Sequence, residues 1–317
     1  MEKVPVKTNR AGEAAPGASP SKRTRGSRMA RSQLRTAVIF LAPAVLAIAL
    51  LRLLPFGEAV WDTLFKSEGF GVLAEEKFAG LENYVTLFTD VSFLQTLGRT
   101  VVFNLIINPL QIALAMAVSV LMTRKMFGRG LWRTAVFLPS TIPLVGSSVA
   151  WGIALRPDGP VNALLGLFGI GSQPFFTSSH QALASIILVA SWIGIGHWMI
   201  FLIGGLNSVN QELYEAASID GANGWRTFWS LTVPLMRRPL LFVLVADTVA
   251  NFVLFVPMQM LTNGGPENST TVLMFDVYQR TYTFSEPHIG AAATVVLTVI
   301  MIIIVSIQFR LLGERDK

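Results

Sequence analysis

Residues 215–239 read Glu215-Ala216-Ala217-Ser218-Ile219-Asp220-Gly221-Ala222-Asn223-Gly224-Trp225-Arg226-Thr227-Phe228-Trp229-Ser230-Leu231-Thr232-Val233-Pro234-Leu235-Met236-Arg237-Arg238-Pro239, a polar, small-residue-rich segment between two long apolar runs. The pattern predicts a short helix, a sharp turn and a second short helix. Ser208 with Gln211 has the spacing of a capping box, and Asn210 offers a second cap two residues on. Gly221 tolerates the positive φ of a tight turn and ends the first helix. Asp220 stands at that turn as the expected cap of a second helix from Asn223 to about residue 232. Pro234 is expected to end that helix and Pro239 to launch the next apolar run. Ala216, Ala217 and Ala222 put little bulk on one side, open to close approach by another protein. Trp225, Phe228 and Leu231, spaced i, i+3, i+6, make an apolar stripe facing the parent bundle.

The runs on either side set the class. The chain has 317 residues, is 52% hydrophobic and only 14% charged, and contains several apolar runs near twenty residues. That composition predicts an all-α polytopic membrane protein. Six spans fit, at about 36–56, 100–122, 134–155, 183–205, 240–261 and 289–309, each able to cross about 30 Å of hydrocarbon at about 1.5 Å per residue. Six crossings return both ends to one side. With the amino terminus inside, 19 Lys and Arg fall in inner segments and 5 in outer ones, with Arg52 in the first span. The positive-inside rule then places both termini in the cytoplasm of a plasma or inner membrane. Residues 1–35, rich in Pro, Gly, Ser and Arg, read as a disordered basic tail. Residues 36–312 form the membrane domain, with 206–239 as an inner loop, and 313–317 a short inner tail. The basic tail reads as a retention signal rather than a nucleic-acid binder, and the run after it as an uncleaved anchor.

The 215–239 segment resembles the EAA loop of permease subunits of binding-protein-dependent ABC importers. Glu215, Ala216, Ala217, Asp220, Gly221, Ala222, Phe228, Pro234 and Pro239 carry the match, and Trp225 fits the carbohydrate branch. One departure is Asn210, where carbohydrate members usually have Pro. Two outer segments extend the resemblance. Gly80-Leu81-Glu82-Asn83-Tyr84 is similar to the Gly-Leu-x-Asn-Tyr segment of carbohydrate permeases, and Thr262-Asn263-Gly264-Gly265-Pro266 to their Thr-x-Gly-Gly-Pro segment. The resemblance implies a type I ABC importer permease fold and one permease subunit of a carbohydrate importer. It also implies a second permease subunit as partner, two ATPase subunits and an extracellular solute-binding protein. Glu215, Ala216, Ala217, Asp220, Gly221, Ala222, Phe228 and Pro234 would then form the ATPase-coupling loop. Within the family, a phosphorylated polyol such as glycerol phosphate is the alternative cargo.

Polar residues inside the spans point to a path. Asp247, Asn251 and Gln259 stand at successive steps of four and eight residues in span five, which puts all three on one helical face. An Asp at a helix centre costs about 3 kcal/mol on the insertion scale, while the Leu, Phe and Val of this span return about 4–8 kcal/mol, so the span still inserts. Intramembrane polar groups face a bundle interior or an aqueous route. For Asp247, an interhelical hydrogen bond with a partner subunit is the other reading. Asn104, Asn108, Ser191 and Thr248, with Trp151, Trp192 and Trp198, supply further amides, hydroxyls and rings. The candidate translocation path is therefore Asp247, Asn251, Gln259, Asn104 and Trp192. His197 reads as a packed histidine, and Pro257 as a kink near the outer end of span five.

Little in the sequence suggests catalysis. The chain has no Cys and three His, without a His-Glu-x-x-His pair, so no metal or other cofactor is expected. No Lys follows a Gly, which excludes a Walker A loop and places the energy source on another chain. Gly69-x-Gly71 lacks the third glycine and strand-to-helix context of a dinucleotide loop. A membrane enzyme would need convergent His, Asp or Glu in the spans, and a secondary transporter an inverted repeat with several buried charges. Neither pattern is present.

Overall fold

The computed structural model describes residues 25–68, 75–124 and 126–312, with side chains from 36 to 311. It divides into two units, 1–57 and 58–317. In the first, helix α1 runs Arg25–Ile48 and passes through a π turn, Ala49–Leu53, into α2, Leu54–Asp62. The helix therefore starts some ten residues before the apolar run, in a stretch whose composition predicts a disordered tail up to 35. Arg, Met, Ala, Gln and Leu there are all good helix formers. Residues 1–24 and 313–317, like Gly69, Gly71 and Lys125, lie outside the described residues.

The second unit opens with a small antiparallel hairpin, β1 Phe65–Glu68 against β2 Glu75–Phe78, which hydropathy does not signal. Then come α3 Glu82–Thr89 and the long α4 Val91–Thr123. Asp90 caps α4 by accepting from Ser92 N at 2.9 Å. This cap starts the helix nine residues before the expected span, so Arg99 lies inside it. At about 1.5 Å per residue, 33 residues reach well beyond the hydrocarbon.

Span three is broken. Helix α5, Arg129–Phe137, with its 3₁₀ extension, and α6, Leu144–Ala154, meet at 100°. Pro139 and Pro143 flank the bend and deprive the backbone of two donors. Beyond lie α7 Pro160–Leu167 and α8 Ala182–Asn207. Next come α9 Gln211–Ile219, α10 Gly224–Thr227, a π turn at Phe228–Thr232 and α11 Val233–Leu235. The chain closes with α12 Arg237–Phe252, a π turn at Met258–Thr262, α13 Leu273–Tyr278 and α14 Pro287–Leu312. Among the described residues, four helical stretches are long and apolar enough to cross a membrane, and six if each of two bent pairs counts as one.

Helices α4 and α8 form the centre. Ala115 and Met116 of α4 pack with Trp198 and Leu202 of α8, Met236 and Val243. A Cβ at Gly196 would collide with Val136 O and Ser140 Oγ, so the glycine admits α5 against the middle of α8. Ser140 Oγ donates across this contact to Ile193 O at 2.7 Å.

At the opposite end from α9, buried polar groups join the shorter elements. Asn83 Nδ2 donates to Thr63 O at 2.8 Å and to Phe65 O at 2.6 Å, and Tyr84 Oη lies 3.0 Å from Thr63 Oγ1. The Gly-Leu-x-Asn-Tyr segment thus fixes the hairpin to α3. Replacing Asn83 with Ala leaves two carbonyls unpaired, so a loss of about 1–3 kcal/mol is expected. Thermal unfolding of the detergent-solubilised protein measures it, and an unchanged midpoint would contradict this role. Arg280 is 9% exposed and bonds Asp276 and Asp90, both at 2.8 Å, beneath the ring of Phe93. Burial alone would raise the Asp90 carboxyl, but the bond from Arg280 and the Ser92 amide hold it below its ordinary value.

Candidate functional site

The first candidate region is the 206–239 loop. Asn210 is the cap of α9, with its side chain accepting from Glu212 N at 3.1 Å, so the residue that departs from the usual proline starts the helix itself. Gly221 adopts φ +74° and turns the chain, while Ala222 N bonds back to Ala217 O at 2.9 Å. The cap of the second helix is Asn223, accepting from Arg226 N at 2.9 Å, and not Asp220. Asp220 terminates α9 instead. Pro234 does not end the helix. The π turn before it re-routes the backbone bonding, so that Val233 N reaches Phe228 O, and the break falls at Met236.

The expected apolar stripe divides. Phe228 and Leu231 are half-buried, and Phe228 packs on the α4–α8 core, but Trp225 is 73% exposed and meets Trp229 edge-on at 5.7 Å. Glu215, Ala216, Asp220, Gly221 and Pro234 are exposed, and Ala217 and Ala222 half-buried. Ile219, 85% exposed, adds an apolar side chain beside them. Tyr214 Oη to Thr232 Oγ1, 3.3 Å, ties the two helices. The loop is therefore a preformed helix–turn–helix presenting small, acidic and aromatic groups outward.

The second region is polar and internal. Asn104, Asn108 and Gln111 line one buried face of α4, and Asp247, Thr248 and Asn251 one buried face of α12. Asn251 Nδ2 donates to Asn108 Oδ1 at 2.8 Å and to Asp247 Oδ1 at 3.1 Å. Trp198 Nε1 donates to the same Asp247 oxygen at 2.6 Å. Asn108 reaches Thr248 Oγ1 at 3.1 Å, which also accepts from Gln308 of α14 at 2.8 Å. Asp247 thus bonds within its own chain, yet its other oxygen, Oδ2, is buried without a hydrogen-bond partner. A cleft of about 270 Å³ adjoins this network, lined among others by Gln111, Ser140, His197, Trp198, Asp247 and Asn251.

Asp247 and Asn251 bond each other, Asn104 meets the network only through Asn108 at 3.5 Å, and Gln259 and Trp192 do not join them. Helix α12 ends at Phe252, and the chain is irregular until 256. Pro257 has no N–H for the carbonyl of Val253, and its ring would strike that carbonyl in a continued helix. The kink expected at Pro257 is thus a full break one turn earlier, and Gln259, on the π turn beyond, leaves the Asp247 face. Trp192 packs edge-on against Trp151 at 5.4 Å and is 37% exposed. His197 meets Trp198 edge-on at 4.7 Å and Phe201 at a tilt at 5.4 Å. Sequence reasoning does not reach Gln111, Ser140 or Gln308. Only the i+3 step from Asn108 to Gln111 carries a signal for any of them.

A bundle of apolar helices, polar along its internal helix faces and with an exposed helix–turn–helix at one end, is the architecture of a membrane transport subunit rather than an enzyme. The chain belongs to the binding-protein-dependent transport system inner membrane component family, whose model matches residues 110–315. It is 29% identical over 279 residues to the sn-glycerol-3-phosphate transport system permease protein UgpA of Agrobacterium fabrum, covering 87% of this chain and 94% of that one. To the lactose transport system permease protein LacF of Rhizobium radiobacter it is 32% identical over 284 residues, covering 88% and 94%. A bacterial ABC transporter for import of the acidic polysaccharide alginate superposes with TM-score 0.73 at 20% identity, over 92% of this chain and 99% of that one. The fold is that of an ABC importer permease, and the protein is an inner membrane permease component of a binding-protein-dependent transport system.

Proposed function

We propose that this chain moves a neutral carbohydrate through the α4–α8–α12 cleft as one of two permease subunits of an ATP-driven importer. A solute-binding protein delivers the sugar on the side of Asn83 and Arg280, and two ATPase subunits dock on the 206–239 loop at the other. Both termini lie in the cytoplasm, because 19 of 25 basic residues then fall inside. ATP-driven closure pushes on the α9–α10 turn and switches the helices between two packings.

The observation that carries the choice of cargo is the lining of the 270 Å³ cleft. It offers amides, an indole N–H, a hydroxyl and the free oxygen of Asp247, and no Lys or Arg. Sugar hydroxyls donate and accept, whereas a phosphate beside Asp247 would be repelled in a poorly solvated site. The relatives' names point both ways, one to glycerol phosphate and one to lactose, at nearly equal identity. Reconstituted vesicles holding the importer and its binding protein decide the matter. Stimulation of ATP hydrolysis by a neutral sugar such as lactose is expected. Stimulation by sn-glycerol 3-phosphate and by no neutral sugar would overturn the reading.

The orientation has a separate test, since the natural chain has no Cys. Cysteines at Ser67 and Ser285, both exposed, are expected to label from outside, and one at Ser218 only after permeabilisation. Ser269 suits this less well because its hydroxyl is buried. Labelling of Ser218→Cys in intact cells would reverse the topology.

A further inference from the structure

A second cavity, about 430 Å³, lies along α6 toward its C-terminal end, where the chain turns into the loop that leads to α7. Its walls are mostly apolar, with Val149, Ile153, Phe176, Met260 and Leu261 among them. Three polar side chains break this pattern: Thr177, whose hydroxyl donates to Pro174 O at 2.8 Å, and Ser148 and Arg156, which lack a partner among the described residues. Ser148 is 0% exposed, lines the cavity, and its hydroxyl makes no hydrogen bond. Arg156 lines the same cavity, and among the described residues no carboxylate or carbonyl meets its guanidinium. Ser148 and Gly152 stand four residues apart on α6, and Arg156 follows just beyond its end at Ala154, so that the hydroxyl and the cation line the same cavity.

The backbone holding Arg156 is fixed. Asn162 Nδ2 donates to Arg156 O and to Gln173 O, both at 2.9 Å, and Gln173 N returns a bond to Asn162 Oδ1 at 2.7 Å. Asn162 is 6% exposed, so this clasp is shielded from water. Arg156 is exposed on the loop directly after α6, the second helix of a bent pair that together is long and apolar enough to cross a membrane. The adjoining α6 surface is aliphatic and open, with Val145 50%, Val149 48% and Ile153 53% exposed. A buried hydroxyl without a partner costs free energy unless a ligand meets it.

We propose that this cavity holds the phosphate-bearing headgroup of a membrane phospholipid. Arg156 pairs with the phosphate, Ser148 donates to an ester or phosphate oxygen, and an acyl chain lies along Val145, Val149 and Ile153. An anionic lipid such as phosphatidylglycerol fits better than a zwitterionic one, because Arg156 has no carboxylate to share its charge. A free phosphate offers the same headgroup chemistry but nothing to cover the aliphatic strip.

The test is native mass spectrometry of the full chain, purified with its co-expressed importer subunits and titrated with phosphatidylglycerol, phosphatidylcholine or inorganic phosphate. One tightly held phosphatidylglycerol is expected. Arg156→Gln should weaken it about tenfold, the effect of one charge-assisted bond. Ser148→Ala should weaken it about threefold to tenfold without harming the fold, since its hydroxyl has no protein partner. Arg129→Gln, near the α5 start, should leave binding unchanged. Equal retention by Arg156→Gln, or no lipid held by the natural protein, would overturn the proposal. Displacement of the lipid by millimolar inorganic phosphate would reassign the site to a soluble anion and overturn the lipid assignment.

Discussion

Gly221→Val is expected to cut solute uptake at least tenfold while the protein still inserts and the binding protein still holds solute. At φ +74° a β-branched side chain is a steric outlier, costing of the order of 1–2 kcal/mol in place. The strain is relieved by reshaping the turn, which carries α9 against α10 through Ala222 N to Ala217 O. Nothing lies within 4 Å of a Cβ at Gly221, so the effect is one of backbone conformation and not of collision. Gly221→Asn is therefore expected to keep most of the activity, because Asn tolerates the left-handed region. Glu215→Ala leaves the fold intact, as the side chain is exposed, yet should reduce ATPase coupling if it meets an ATPase subunit. Uptake into vesicles, with ATP hydrolysis measured in parallel, checks all three. Wild-type uptake by Gly221→Val would remove the loop from the coupling machinery.

The loop is legible in the sequence because its signals are local. Asn210, Gly221 and the Ala residues act within four positions of themselves, so cap, turn and small side can be read directly. Trp225 shows where local reasoning stops. The stripe of Trp225, Phe228 and Leu231 assumes a helix of one pitch, but the π turn at Phe228–Thr232 rotates the residues beyond it. The same holds in span five, where the eight-residue step from Asn251 to Gln259 presumes a helix that Pro257 interrupts a turn earlier. Arg280 lies out of reach for a different reason. Its partner Asp90 is 190 residues away, and only the packing of α13 against α4 brings them to 2.8 Å. Apolar runs, by contrast, mark the spans to within a few residues except where a polar cap, Asp90, or a proline, at Pro139, Pro143 or Pro257, alters the helix ends.

Asp247→Leu is expected to lower uptake of the natural solute by tenfold or more, and Asp247→Asn to separate the reasons. The leucine variant leaves the Trp198 indole N–H without its acceptor and releases Asn251, a loss of about 1–3 kcal/mol for each buried group left unpaired. It therefore perturbs packing as well as any contact with solute. Asparagine retains a carbonyl oxygen for Trp198 and Asn251, so the network that links α4, α8 and α12 survives. The charge is removed, and with it the second acceptor, Oδ2, the oxygen that has no partner within the chain. If Oδ2 receives a sugar hydroxyl, Asp247→Asn should fold like the natural protein, leave the basal ATP hydrolysis of the assembled importer unchanged, and transport the neutral sugar about tenfold less well. A protein stabilised only by the network would show no such difference. Uptake that rises in Asp247→Asn would mean that the carboxylate had opposed an anionic cargo, and would turn the assignment toward the phosphorylated polyol.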